Sequence, residues 1–152
     1  REMARLEKMG LVSRTPRGNR VYYRANRSHP AFEDLKRVVL KTIGIGDALR
    51  AAVAPLANKV RVAFVFGSFA RGEETATSDV DILLIGDLSL RELSSVLGPV
   101  SHEMGREFNP VIYSPAEFKA RLANGHHFLT EVMKTEVLFL IGDNSALEGI
   151  TG

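Results

Sequence analysis

Two runs of this chain, Val62–Phe66 and Ile82–Ile85, are apolar at every position. Neither approaches the roughly 20 residues that cross a bilayer. A short run without polar alternation suits a strand covered on both faces, since each face must meet an apolar layer. Both runs are therefore expected to lie in strands, the first of them a central strand covered on both sides. With 152 residues, 45% of them hydrophobic and 25% charged, it has the material for one domain and a small appendage, and neither disorder nor a membrane protein fits. No cysteine is present, which excludes disulfides, thiolate metal sites and a thiol nucleophile. Arg1–Gly10 is charged and lacks the apolar segment of a secretory signal, so the expectation is a cytoplasmic protein. The chain opens on Arg rather than Met, as a fragment lacking its upstream part would.

Charge is unevenly spread. Residues 1–30 hold eight basic side chains (Arg1, Arg5, Lys8, Arg14, Arg17, Arg20, Arg24, Arg27) against Glu2 and Glu7, while the remainder is acidic on balance. A basic head on an acidic body points to two tasks, the first facing a polyanion. A solvated charged surface would give the same count.

Along the head, Arg1–Gly10 reads as the end of a helix with Gly10 as its cap. Leu11–Ser13 and Arg20–Asn26 read as strands of a hairpin, with Arg14–Asn19 as an arginine-bearing turn. Pro30 opens a helix striped with Phe32, Leu35, Val38 and Val39; a second, Asp47–Ala57, is capped by Asp47 and turns Leu49, Val53 and Leu56 inward. These two read as a connector. The body then alternates: strand Val60–Phe66, a loop with a short helical stretch over Gly67–Thr77, and strand Asp79–Ile85. Helix Leu88–Gly105 follows, with Leu90, Leu93, Val96 and Leu97 inward, then strand Arg106–Tyr113 with Pro110 marking an edge or bulge. Ser114 and Glu117 suit a capping box, Phe128, Leu129, Val132 and Met133 lie on a further helix, and strand Val137–Ile141 precedes a short tail. His126-His127 reads as a surface or capping pair, and His29 and His102 carry no signal.

The chemistry gathers where the first body strand ends in Gly67-Ser68 and the chain re-enters the sheet as Asp79-Val80-Asp81. Glycine permits a sharp turn and a close backbone approach, serine adds a hydroxyl, and the N–H groups of the next turn form a phosphate cradle. Side chains alternate along a strand, so Asp79 and Asp81 share a face. Two adjacent carboxylates repel and call for a cation, and hard oxygen donors suit Mg²⁺ or Mn²⁺. Phosphate loop and acidic pair together fit transfer of a phosphate-bearing group from a nucleoside triphosphate.

Gly67-Ser68…Asp79-Val80-Asp81 resembles the signature of the DNA polymerase beta-like nucleotidyltransferase superfamily, in particular its minimal (MNT-type) members, over roughly residues 60–141. The resemblance implies an α+β nucleotidyltransferase fold, a mixed sheet flanked by helices. It implies ATP or another NTP as donor and Mg²⁺ (or Mn²⁺) as cofactor. It assigns the triphosphate to Gly67, Ser68 and Arg71, and the metal and catalysis to Asp79 and Asp81. Arg71 fits a structural role in the loop equally well. Such proteins usually add a third carboxylate from the next strand. Here Asn109 takes that place; it can offer an oxygen to a metal but cannot act as a base. Glu107 shares its face, so either Asn109 or Glu107 is expected as the further ligand.

Residues 1–30 resemble the C-terminal part of a winged-helix (ArsR-like) DNA-binding domain, with Leu6–Val12 leading from the recognition helix into a β-hairpin wing. That resemblance implies DNA contacts from Arg14, Arg17 and Arg20. The division expected is 1–30 winged-helix remnant, 31–58 helical connector and 59–152 nucleotidyltransferase domain. Two functions compete: a metal-dependent enzyme moving a nucleoside monophosphate to an acceptor, and a transcription regulator or antitoxin-like protein that binds nucleotide without turnover. A homodimer or a toxin-type partner protein fits either, and no membrane is involved.

Overall fold

The computed structural model describes residues 1–36, 44–74 and 78–152. The chain divides into two units, Arg1–Thr42 and Ile43–Gly152. In the first, helix α1 (Glu2–Lys8) leads through Gly10, at φ 75°, into strands β1 (Val12–Arg17) and β2 (Arg20–Ala25), and residues 32–36 are helical. Asn26 donates from Nδ2 to the Gly10 carbonyl at 2.9 Å and from its backbone to the Leu11 carbonyl at 2.9 Å, which ties the end of the hairpin to the end of the helix. No described residue of this unit is buried. The arginine-bearing turn is shorter than Arg14–Asn19: only Gly18 and Asn19 lie between the strands, and Arg14, Pro16 and Arg17 are paired strand residues. Gly18, at φ 58°, occupies the first position of this two-residue turn, where glycine is favoured. Pro16 is tolerated because a two-stranded ribbon consists of edges.

The second unit is a four-stranded mixed sheet with helices on both faces. Its elements are α2 (Ile45–Val53), a 3₁₀ turn (Ala54–Leu56), β3 (Val60–Phe66), α3 (Ser68–Arg71), β4 (Val80–Gly86), α4 (Leu90–Met104), β5 (Phe108–Tyr113), α5 (Pro115–Ala123), α6 (His127–Met133), β6 (Leu138–Ile141) and α7 (Asn144–Thr151). The strand order is β5-β4-β3-β6, with β4 and β5 parallel and the other pairs antiparallel. The two apolar runs form the central strands, and Pro110 lies on edge strand β5, where a missing N–H costs no ladder bond on the open side.

Side-chain alternation divides the core. Val62, Phe64, Leu83, Ile85 and Tyr113 face one way and are buried with Phe118 of α5, Leu129 and Val132 of α6, and Leu147 and Ile150 of α7. Aromatic edge-to-face contacts join these layers, Tyr113 to Phe118 at 6.1 Å and Phe66 to Phe128 at 5.6 Å between centroids. Ala63, Val65, Ile82 and Leu84 point the other way and are equally buried. On that side α2 runs so close to β6 that a Cβ on Gly46 would stand 3.0 Å from Leu138. Each fully buried Leu, Ile or Phe contributes about 1.5–3 kcal/mol, so this two-sided burial dominates the stability of the unit.

Several expected details differ. The second connector helix belongs to the second unit: it starts at Ile45, and Asp47 is a helical residue paired with Arg50 at 2.9 Å, not a cap. Leu90 is exposed because it opens α4 before the helix reaches the sheet, whereas Leu93 and Leu97 are buried. The supposed tail is α7, capped by Asp143, whose carboxylate accepts from Ala146 N at 2.9 Å. Val38, Val39, Thr75, Ala76 and Thr77 lie outside the described residues. Ser114 does cap α5, accepting from Glu117 N at 3.1 Å, but the Glu117 carboxylate turns to Arg121 instead of completing a box.

The complete capping box lies on α4, between Ser89 and Glu92. Lys59, just before β3, donates to the Glu92 carboxylate as well. The Lys59 ammonium and then the Ser89 backbone and hydroxyl donors lower the Glu92 pKa from its ordinary 4.5 to about 2. A carboxyl depressed in the folded state adds stability above its unfolded pKa and loses it as pH falls through the folded value. Glu92→Gln is therefore expected to lower Tm slightly at neutral pH, the exposed pair being well screened. The deficit should fade between pH 4.5 and about 2, as read by thermal melts across that window.

Candidate functional site

The end of β3 is constrained by what stands beside it. Phe66 pairs with Asp81 across the antiparallel β3–β4 ladder, which brings the next residue, Gly67, against the Asp81 side chain. Gly67 has φ 77° and ψ −151°, a region essentially restricted to glycine. A Cβ built there would lie 2.7 Å from Asp81 Oδ2. Glycine is thus required twice, by the backbone turn and by the carboxylate occupying the place of a side chain.

Half-buried Ser68 opens the four-residue helix α3, which Gly72 ends in the left-handed conformation. Arg71 donates from Nε to Glu73 Oε2 at 2.8 Å, so in this structure its guanidinium braces the loop. Asp79 lies one residue before β4, not within it, and is exposed, while Asp81 is half-buried. Both nevertheless reach one side chain. Asn109, in register with Asp81 on parallel β5, extends Nδ2 to Asp79 Oδ2 at 3.4 Å and to Asp81 Oδ1 at 3.3 Å. Among the described residues no cation pairs with either carboxylate. Glu107 holds β4 through its backbone, accepting from Val80 N at 2.9 Å. Among the described residues no group of three His, Cys, Asp or Glu side chains gathers, so Glu107 does not join the two aspartates in a triple cluster. His126 takes the N-cap position of α6 without a side-chain cap bond.

One residue of this region was missed in the sequence. Arg106, ahead of β5, donates from Nη1 to the Ser78 carbonyl at 2.9 Å and stands 4.8 Å from the centroid of buried Phe69. It thereby fastens α3 and the approach to Asp79 to one anchor. Its partners lie 28 and 37 positions upstream, and no local pattern marks such a pairing.

Two carboxylates and a carboxamide, converging beside a glycine turn, form a hard oxygen donor set once the amide turns its Oδ1 inward. They fit a divalent cation of the Mg²⁺ or Mn²⁺ kind. Arg14, Arg17 and Arg20 belong to the other unit, on its hairpin.

Gly72 is a control for Gly67 within the same loop. Gly67→Ala is expected to cost about 1–3 kcal/mol from its backbone region alone, with Asp81 displaced in addition. At Gly72, also at positive φ, no atom lies within 4 Å of a built Cβ, so Gly72→Ala should cost only the left-handed penalty of about 1–2 kcal/mol. Chemical denaturation of the two variants measures the difference.

Comparison with known proteins bears on the family and the fold. The family model described as polymerase beta, nucleotidyltransferase matches residues 52–137. MJ0604 of Methanocaldococcus jannaschii, a candidate protein adenylyltransferase, is 25% identical over 83 residues, covering 55% of this chain and 83% of its own. Two crystal structures share the fold. One is of a toxin-antitoxin with AMP-PNP (TM-score 0.51, 16% identity, 70% of this chain and 80% of that one). The other is of a toxin-antitoxin MntA-HpeT mutant with two Asp-to-Glu changes two positions apart (TM-score 0.51, 14% identity, the same coverage). With more than half its length matched and its central strands inside the matched span, the chain belongs to the polymerase beta nucleotidyltransferase family.

Proposed function

We propose that the second unit binds a nucleoside triphosphate with Mg²⁺ or Mn²⁺ and transfers its nucleoside monophosphate to a hydroxyl acceptor. The observation that carries this is the Asp81 carboxylate packed against the Gly67 backbone, with Asp79 turned to the same side. Gly67 and Ser68 offer backbone N–H groups and a hydroxyl to the phosphates; Asp79 and Asp81 hold the cation, with Asn109 as the third oxygen donor. The cation, when bound, offsets the charge of the pyrophosphate leaving group. The acceptor oxygen forms its bond to the α-phosphorus as the bond to pyrophosphate breaks. Asn109 has no basicity to take the hydroxyl proton, which passes to exposed Asp79 or to water. ATP is the preferred donor and a protein hydroxyl the preferred acceptor; the AMP-PNP-bound neighbour and the adenylyltransferase relative support these choices.

Asn109 favours a second reading, in which nucleotide binds without turnover and the chain serves as a regulator or as the antitoxin-like partner of another protein. In either reading the basic head, a winged-helix remnant, contacts DNA.

Calorimetry with a non-hydrolysable ATP analogue and Mn²⁺ tests the site. The Asp79→Asn, Asp81→Asn double variant is expected to lose on the order of tenfold or more in metal-dependent affinity. Equal affinity in both proteins rules the site out. Incubation with α-labelled ATP separates the two readings: label on a protein acceptor establishes transfer, and tight binding with no transfer under either metal establishes the regulator.

A further inference from the structure

The register of the β1–β2 hairpin sorts its side chains onto two faces of opposite character. Ser13 pairs with Arg24, Thr15 with Tyr22, and Arg17 with Arg20, so these six share one face. Val12 pairs with Ala25, Arg14 with Tyr23, and Pro16 with Val21 on the other. The first face carries three guanidinium groups, three hydroxyls and no carboxylate. The second is mostly apolar, and Arg14 is its one charge.

Arg17 and Arg20 stand directly opposite each other. Like charges in that position destabilise a ribbon, and among the described residues neither has a carboxylate partner. Residues 13–25 are exposed throughout, so solvent screens the repulsion without removing it. Ser13, Thr15, Arg17, Tyr22 and Arg24 of this face, together with Tyr23 of the other, line a depression of about 340 Å³, and Arg20 stands outside that lining. A concave surface of arginines and hydroxyls, without an acidic group to compensate it, is complementary to a row of phosphates. Arginine forks suit phosphate oxygens, and hydroxyls donate to them as well.

We propose that this face, Arg17, Arg20 and Arg24 with Tyr22, is the surface that binds the phosphate backbone of duplex DNA, and that Arg14 takes no part in it. The proposal rests on the reading of the head as a DNA-contacting unit and revises which arginines do the work. Arg24 enters and Arg14 leaves, because a one-residue step along a strand moves a side chain to the opposite face. Contacts of this kind give affinity without base choice.

Fluorescence anisotropy of the full chain with a labelled random-sequence duplex, between 50 and 200 mM salt, tests it. Each phosphate contact adds about 0.9 to the slope of log affinity against log salt. The Arg17→Ser, Arg20→Ser, Arg24→Ser triple variant should lose about three units of slope, Arg24→Ser alone about one, and Arg14→Ser none. Arg14→Ser equal in effect to Arg24→Ser overturns the face assignment and leaves the head a DNA-binding unit. Wild-type binding with no salt dependence overturns both. Tighter binding of single-stranded RNA than of the duplex also overturns the proposal. A second readout needs no ligand. Arg17→Ser should not lower Tm, and any gain it brings should shrink with added salt; a salt-independent loss shows that the arginines serve the hairpin's own structure.

Discussion

The end of the sheet that carries Asp79 and Asp81 depends on a contact that only glycine permits, the Asp81 carboxylate lying where a side chain at position 67 would be. Antiparallel pairing of Phe66 with Asp81 sets this up, because it brings the first residue beyond β3 beside the first acidic residue inside β4. With the glycine in a backbone region closed to other residues, the chain turns at once into α3. The glycine turn and the acidic pair are thereby brought within reach of each other by the ladder itself.

The core explains why this end of the sheet stays in place. β3 and β4 are buried on both faces, so their register cannot slip without exchanging the apolar sets that meet α5, α6 and α7 for those that meet α2. The acidic residues lie at the edge of that rigid body, Asp81 half-buried and Asp79 exposed. Asn109 reaches them from the edge strand, bridging two like charges with the one amino group of its amide. The neutral amide lowers the repulsion between the pair but leaves the site without a base on β5.

The head follows a different physical logic. It has no buried residue among those described, and its character comes from charge and from the two-residue period of a hairpin. The head spreads arginines over a ribbon whose two faces differ because neighbouring residues point in opposite directions.

Much of the body was legible from local pattern. The runs at Val62–Phe66 and Ile82–Ile85 announced strands, the first of them central, Gly67-Ser68 announced the turn beside Asp79-Val80-Asp81, and Pro110 announced an edge or a bulge. These are short-range signals, set by side-chain period and by the needs of glycine and proline. Features that depend on partners distant in sequence were not legible. Arg106 anchoring Ser78 and Phe69, the place of α2 in the body, the burial of α7 and the exposure of Leu90 all follow from which surfaces the packed sheet presents. The arginines show the division most clearly: their number was plain in the sequence, but which of them share a face was decided by a turn two residues long, since the strand register it sets places every side chain on one side or the other.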